Sequence, residues 1–555
     1  MRGGLIFAVG CDMRYIYKIV LVVTLALTAL CGAYAQNPKG ASSGAEKQSL
    51  EQMQKWMYFY RYLSNLYVEE VDMQPLVEES IRAMLAKLDP HSSYLDAEEM
   101  KASQEMTKGE IGGIGVQFNI LNDSIVVEST SPQGPAERVG LMPNDRIVEV
   151  DGANVVGVKR SDVPKLLRGE KGSVVNVGVA RRGVADLLNF SITRGNIPLT
   201  TVDAAYRVGE SIGYIKVNRF GHTTMREFRD AMSKLSGVET LVLDLNNNGG
   251  GLLNQAVEMA GYFLPKGSLV VSTEGRAVPT KEYKSSSEQE FEGNVIVMVN
   301  EASASGSEVV AGALQDWDRA VVVGRRSYGK GLVQREIPLG DGSAVRITIA
   351  RYHTPSGRVI QRPYELGHKE EYDKAFVERL SNAASGVDSV AQDSVAASEF
   401  KTLRLRRSVY GGGGISPDVR VEIDTTRTSR YITKLVAQGV YAEYVMEYMD
   451  RNRAKLKEQY PTFAKFNAEF ALGDDDLKRV VEIGEAKGVA FDEQGFLSSC
   501  ELMRNQLSAM VAQRLFTLSE YYEFINIREN NSFKEAISLA YEWKSNQLAQ
   551  KISTK

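Results

Sequence analysis

At 555 residues, with 43% hydrophobic and 25% charged side chains, the chain is long enough for two or three domains with ordinary globular cores. A net charge of −4 with no basic helix or stripe argues against nucleic acid as a partner. The four histidines, His91, His222, His353 and His368, are scattered outside any Ser-His-Asp or zinc-ligand context, so no metal or cofactor is expected.

Residues 13–36 read as a secretory signal within a leader spanning 1–36. Arg14 and Lys18 supply the basic end, Ile19 to Leu30 the apolar run, and Ala33-Tyr34-Ala35 a small-x-small cleavage site. The apolar run is short of the ~20 residues a spanning helix needs, although an uncleaved signal would tether the protein to the membrane. Cleavage removes Cys11 and Cys31 and leaves Cys500 without a partner, so stability must come from packing.

Over 45–108 the pattern is helical. Leu50, Met53, Trp56, Met57, Tyr60, Leu63 and Tyr67 recur at three- and four-residue spacing, and a second helical run spans Met73 to Leu88. Asp89-Pro90 breaks it in the phrase LDPHSSYL, where His91 reads as a turn residue rather than a base. Residues 109–195 resemble a PDZ domain. Gly112-Gly-Ile-Gly115 leads into the alternating strand Val116 to Ile120, followed by SPQGPAERVGLMPNDRIVEVDG, a helix near Ser161 to Leu167 and the strand Val174 to Val179. A glycine loop entering an edge strand leaves backbone N–H groups free for a peptide's terminal carboxylate, which nominates Gly113, Ile114, Gly115 and Val116 as peptide-binding.

Strands and helices then alternate. Ile212 to Val217 and Leu241 to Leu245 read as strands, Thr224 to Leu235 as a helix, and Asp244-LNNNGGGLL-Leu253 as a turn opening another helix. The apolar run Val295 to Val299 enters Ala302-Ser-Ala-Ser-Gly306, and a helical pattern follows from Glu308 to Gln315. Ser305 thus falls at a helix N-terminus, where free N–H groups stabilise negative charge. Ser305 and Glu308 also fit a Ser-x-x-Glu capping box. After a second apolar run, Val321 to Val323, comes the glycine-flanked Lys330. Serine attacks only once a base takes its proton, and a desolvated neutral lysine can do so. Lowering a lysine from ~10.4 to ~7 requires ~4–5 kcal/mol against its charged form, which burial between apolar strands could supply.

The order Ser305, Lys330, Gln334, with SASGSEVVAGALQD, GRRSYGKGLVQ, ITIARYHTPSGRVIQ and GGGGISPD, resembles the carboxyl-terminal processing peptidases, tail-specific serine proteases of family S41 that carry a PDZ domain. Gly306 stands where the family usually has alanine, and Asn246 and Gly249 where it has arginine and proline. The resemblance implies an α/β protease body of the ClpP/crotonase-like kind over 196–424, with an inserted PDZ domain, an N-terminal helical segment and a helical C-terminal region. It implies a catalytic Ser305, a Lys330 base, a supporting Gln334, and an oxyanion hole from Gly306 and Gly250, with Gly251 the alternative second donor. Its expected substrates are exported proteins in a bacterial periplasm, read by apolar C-terminal tails that the PDZ domain recognises while gating the site. The competing reading is a non-catalytic PDZ scaffold on a protease fold.

Between Tyr364 and Tyr410 the pattern fails, and 365–410, with SNAASGVDSVAQDSVAAS at its centre, reads as a low-complexity insertion. Residues 425–555 are helical by pattern, as in Tyr431 to Tyr448 and Leu502 to Phe524. Their Tyr and Phe stripe is expected to pack on the body or on another subunit, which would make a homo-oligomer. An envelope adaptor protein is a further expected partner.

Overall fold

The computed structural model describes residues 43–121, 123–384 and 398–544, so the leader at 13–36 and most of the SNAASG insertion lie outside the described residues. The chain divides into two units, up to Ser80 and from Ile81 onward. The first carries the helix Ser43–Leu66, and Met73–Leu85 is the next helix in the chain. Among the described residues no helix is long and apolar enough to cross a membrane.

The body of the second unit is a six-stranded sheet in the order Val202–Val208, Ile212–Val217, Thr240–Asp244, Asn294–Val299, Ala320–Gly324 and Val419–Arg420. The first pair is antiparallel and the rest parallel. Parallel strands are covered on both faces, so their sequences run nearly continuously apolar, and the period of two decides which layer each side chain enters. Leu241, Leu243, Val295, Val297 and Val299 join one core with the helices Thr224–Lys234, Leu253–Tyr262 and Gly306–Asp316. Val242, Ile296 and Met298 point the other way, onto Phe533, Ala536, Leu539 and Ala540 of the helix Asn531–Lys544. The C-terminal region therefore packs at least in part on the body.

A second sheet joins Ser93–Leu95, Ala344–His353, Leu269–Glu274 and Lys281–Lys284, with Leu332–Pro338 paired to Ala344–His353. The PDZ module is a separate sheet around its own core of Ile114, Ile125, Val127, Ile147, Val177 and Ile192. Val116–Leu121 lies at its edge, paired among the described residues only with Ser124–Thr130. Six helices from Arg430–Ala437 to Leu518–Glu529 enclose a third core rich in Tyr and Phe. Their boundaries differ from the two long runs expected. Gly439 (φ 67°) breaks the first, and Thr517, accepting from the Ser519 amide, restarts the second as a new helix. This region grips the back of the PDZ module: Arg514 donates to the Glu128 carbonyl (2.7 Å) and pairs with its carboxylate (2.9 Å), while Asp450 takes the Asn144 amide and Arg182.

Part of 365–410 is regular among the described residues. A helix, Lys369–Ala384, runs through it, and short strands Glu399–Lys401 and Ser408–Tyr410 pair beyond it. Its apolar residues serve a cation: Tyr372 and Phe376, with Tyr328, surround the guanidinium of Arg362 at 3.9–4.7 Å from the ring centroids.

Phe533 stacks edge-on against Tyr214 (5.4 Å between centroids) and is 2% exposed. Phe533→Ala should cost ~3–5 kcal/mol of stability, read in the denaturant midpoint of the intact protein. An unchanged midpoint would show that this helix is no part of the body's core.

Candidate active site

The strand Asn294–Val299 ends in a tight turn held by Asn300, and the chain re-enters a helix at Gly306. Ser305 sits between them at φ 53°, ψ −110°, a conformation L-residues rarely adopt outside sites where surrounding structure imposes it. On either side of it the chain is fixed: the Ala304 amide and the Ser307 hydroxyl both donate to the Asn248 carbonyl, and the Val309 amide donates to the Ser305 carbonyl.

The capping-box reading of Glu308 is half of what it does. Its fully buried carboxylate accepts from the Ser305 amide (2.8 Å), as a box requires, and also from the amides of Gly329 (2.7 Å) and Lys330 (2.8 Å) and the hydroxyl of Ser327 (2.5 Å). One carboxylate thus ties the helix start to the lysine loop. Burial still pushes Glu308 above the ordinary carboxyl value, against those four donors. The signal that could have found it is the box itself, since an acid three residues into a fully buried helix needs more than one donor.

Lys330 is largely buried in the Ser327–Gly331 loop. Its amine is held below the ordinary lysine value, first by burial and then by Arg346, with Glu308 and Asp89 opposing. The flanking Gly329 (φ 90°) is required by close approach: a Cβ there would meet Arg362 Cγ at 2.4 Å. Gln334 lies beyond, in Leu332–Pro338 opposite Thr348, and its Nε2 donates to the His91 carbonyl. His91, read as a turn residue, is brought close to Lys330. Burial first, then the charges of Lys330, Arg362 and Lys369, lower it to about 4 against the pull of Asp89, so its ring is neutral. Tyr352 was not foreseen in the sequence; its buried hydroxyl faces Ser305, and burial pushes it up to about 12.

Gly250 and Gly306 both reach the serine. A Cβ on Gly250 (φ 98°) would lie 2.7 Å from Ser305 Cβ and 2.8 Å from the Gly306 nitrogen, so only glycine fits. The Gly250 amide, however, donates to Asn248 Oδ1 at 2.9 Å, so the second oxyanion donor nominated from the sequence is engaged in this conformation. The Gly251 and Gly306 amides have no such partner among the described residues. At the start of that turn, Lys216 pairs with Asp244 at 3.3 Å and donates to the Asn246 carbonyl.

In the PDZ module the four nominated residues divide. Gly113 is the last residue of a strand paired with Gly195–Pro198, the Ile114 side chain is a core residue, and Val116 opens the edge strand. The Ile114 and Gly115 carbonyls accept from Ala136 and Ser131, while their own N–H groups donate to nothing among the described residues.

Family models match in four stretches. These are Peptidase family S41 over 211–367, a PDZ domain over 112–192, the N-terminal domain of the activating protease CtpB over 24–99, and a family of unknown function over 431–517. The carboxy-terminal-processing protease of Bartonella bacilliformis is 37% identical over 331 residues, 57% of this chain and 74% of that one. The carboxy-terminal processing protease CtpB of Bacillus subtilis is 35% identical over 327 residues, 58% of this chain and 68% of that one. Among solved structures, the photosystem II D1 C-terminal processing protease aligns at 29% identity over 66% of this chain and 88% of that one, with a TM-score of 0.34. Sequence matches of this extent define a serine peptidase that carries a PDZ domain. The chain belongs to peptidase family S41, the carboxy-terminal processing proteases, and is a serine-type endopeptidase.

Glu308→Ala leaves four buried donors without their acceptor, at ~1–3 kcal/mol each. It should lower the melting temperature and abolish peptide turnover, measured together on one preparation. Wild-type turnover in this variant would show that the Ser305 and Lys330 backbones hold their places without it.

Proposed function

We propose that Ser305 and Lys330 form a catalytic dyad that cleaves exported proteins at or near their C-terminal tails, with Gln334 holding the lysine. The observation that carries this reading is the single Glu308 carboxylate bound to the amides of both residues, which fixes their backbones relative to one another. Neutral Lys330 takes the Ser305 proton as Oγ attacks the scissile carbonyl, then returns it to the leaving amine. An acyl-enzyme remains on Ser305, and water hydrolyses it with Lys330 again as base. The oxyanion falls to the Gly306 N–H, a helix N-terminal donor, and to Gly251, with Gly250 joining where Asn248 releases it. Burial supports the neutral amine the step requires.

The PDZ module, by the same reading, takes an apolar tail as a strand along Val116–Leu121, with the Ile114 and Gly115 N–H groups on its carboxylate and the tail controlling access to the site. Export to a periplasm rests on the signal pattern at 13–36.

Ser305→Ala and Lys330→Ala should each abolish turnover, with little further loss in the double variant, because both act in one step. A catalytically active Lys330→Ala would exclude the dyad. Turnover of the intact enzyme should rise with pH through a value below the lysine norm of 10.5, since only the neutral amine accepts a proton and burial favours that form. A rising limb at or above the norm would mean that Lys330 is not the base.

Amidating the C-terminus of a cleaved peptide removes one or two charge-assisted bonds of ~1.5–3 kcal/mol while leaving the scissile bond intact. Binding should weaken at least ~10-fold. Equal cleavage of acid and amide would show that the tail carboxylate is not read.

A further inference from the structure

The phrase LDPHSSYL is consumed by no step of the dyad mechanism, yet it folds against the dyad's supporting strands. Asp89 organises it. Its Oδ1 accepts from the amides of His91 (3.0 Å) and Ser92 (3.1 Å) and from the Thr348 hydroxyl (2.8 Å), and its Oδ2 accepts from the Ser92 hydroxyl (2.6 Å). The Ser92 hydroxyl in turn accepts from the Thr348 amide (3.1 Å), and Ser93–Leu95 continues as a strand along Ala344–Arg346. The carboxylate is 8% exposed, and burial alone would raise it. The bonds from Ser92, Thr348 and His91 outweigh that and keep it ionised.

Such a turn, closed on itself at the amide side, presents its carbonyls outward. The His91 carbonyl meets Nε2 of Gln334, and Gln334 is the cross-strand partner of the same Thr348 that Asp89 holds. A glutamine amide has two ends of opposite polarity. With the NH2 end anchored on a carbonyl, the Oε1 end must face elsewhere, as an acceptor suited to a lysine amine. The His91 ring packs edge-on against Tyr372 (5.5 Å between centroids), with Nε2 3.3 Å from its hydroxyl, so this ring too is held.

We propose that Asp89 and His91 are positioning residues of the peptidase reaction: Asp89 shapes a turn whose His91 carbonyl orients the Gln334 amide, and through it the amine of Lys330. The inference rests on the dyad reading. Asp89 also acts at a distance as one of three charged groups facing that amine. The others are Arg346 from Ala344–His353 and Glu308 from Gly306–Asp316, while the neighbouring His91 is neutral.

The test is a double-mutant cycle on the full chain, using a peptide that the wild type cleaves, with kcat, KM, pH profile and melting temperature measured for each variant. Asp89→Ala should reduce kcat ~10–100-fold with KM little changed, the scale of a catalytic group displaced by a fraction of an ångström. In a Gln334→Ala background the same substitution should cost less than ~3-fold in kcat on the high-pH plateau, because there only the positioning effect remains and it passes through Gln334. Asp89→Asn keeps the side-chain shape and removes the charge that favours the ammonium form. Its rising pH limb should move to lower pH. Should Asp89→Ala fail to fold, Asp89→Asn and the isosteric Thr348→Val carry the same cycle. Full additivity with Gln334→Ala, or an unmoved pH limb with losses confined to melting temperature, overturns the proposal while a dead Lys330→Ala leaves the dyad standing. A catalytically active Lys330→Ala removes the dyad and this inference with it.

Discussion

The site depends on one buried carboxylate. Glu308 lies in a helix whose every residue is buried, between a parallel sheet and the loops above it, where an isolated ion would be strongly disfavoured. It is tolerated because four donors converge on it, and those donors come from opposite sides of the site. Ser305 belongs to the helix start, and Ser327, Gly329 and Lys330 to the loop after Ala320–Gly324. The constraint spreads further, since the Ser327 hydroxyl accepts from the Ile415 amide at 2.6 Å and so places the glycine run before it. Removing water from this cluster makes each bond stronger and each missing bond costlier, so the two loops have little freedom to part.

That rigidity explains how a strained serine is held. The Ser305 backbone conformation costs free energy of order 1–3 kcal/mol, and it persists because the Gly250 turn abuts it on one side while Glu308 holds its amide on the other. The same logic limits Asn248. Its carbonyl accepts from both Ala304 and Ser307, and its side chain bonds the Gly250 amide, so it joins the glycine turn to the helix entrance. Switching Gly250 into an oxyanion donor means moving one side-chain amide, a smaller change than rebuilding the turn.

What the sequence disclosed follows from where its signals are local. Mostly apolar runs at 212–217, 241–245 and 295–299, broken by the paired Lys216 and Asp244, mark strands covered on both faces, and they stand where expected. The order of Ser305, Lys330 and Gln334 drew attention to elements that the structure sets side by side. Other features depend on contacts distant in the chain. The helix Lys369–Ala384 was invisible because Tyr372 and Phe376 pack on a guanidinium, and no apolar stripe betrays that function. Asn248 capping the Gly250 amide could not be read from a glycine run. His91 looked like any turn histidine, because the partners that set its environment, Lys330, Arg362 and Tyr372, lie more than 200 positions further along.

The C-terminal helices hold both of their neighbours through buried apolar side chains. Against the body, Phe533, Ala536 and Leu539 are buried in an apolar layer shared with Tyr206, Tyr214 and Met298, a contact that salt leaves intact and that resists sliding. Against the PDZ module, the buried Leu121 and Val126 line one small cavity with the buried Val445 and Met449, and partly exposed polar contacts flank it, Arg514 on Glu128 and Asp450 on Asn144 and Arg182. Charge pairs of that kind are screened by salt and individually worth little. The buried apolar residues therefore contribute more to this attachment than the ion pairs do, and none of these contacts shares a residue with the Glu308 cluster, which lies in the body.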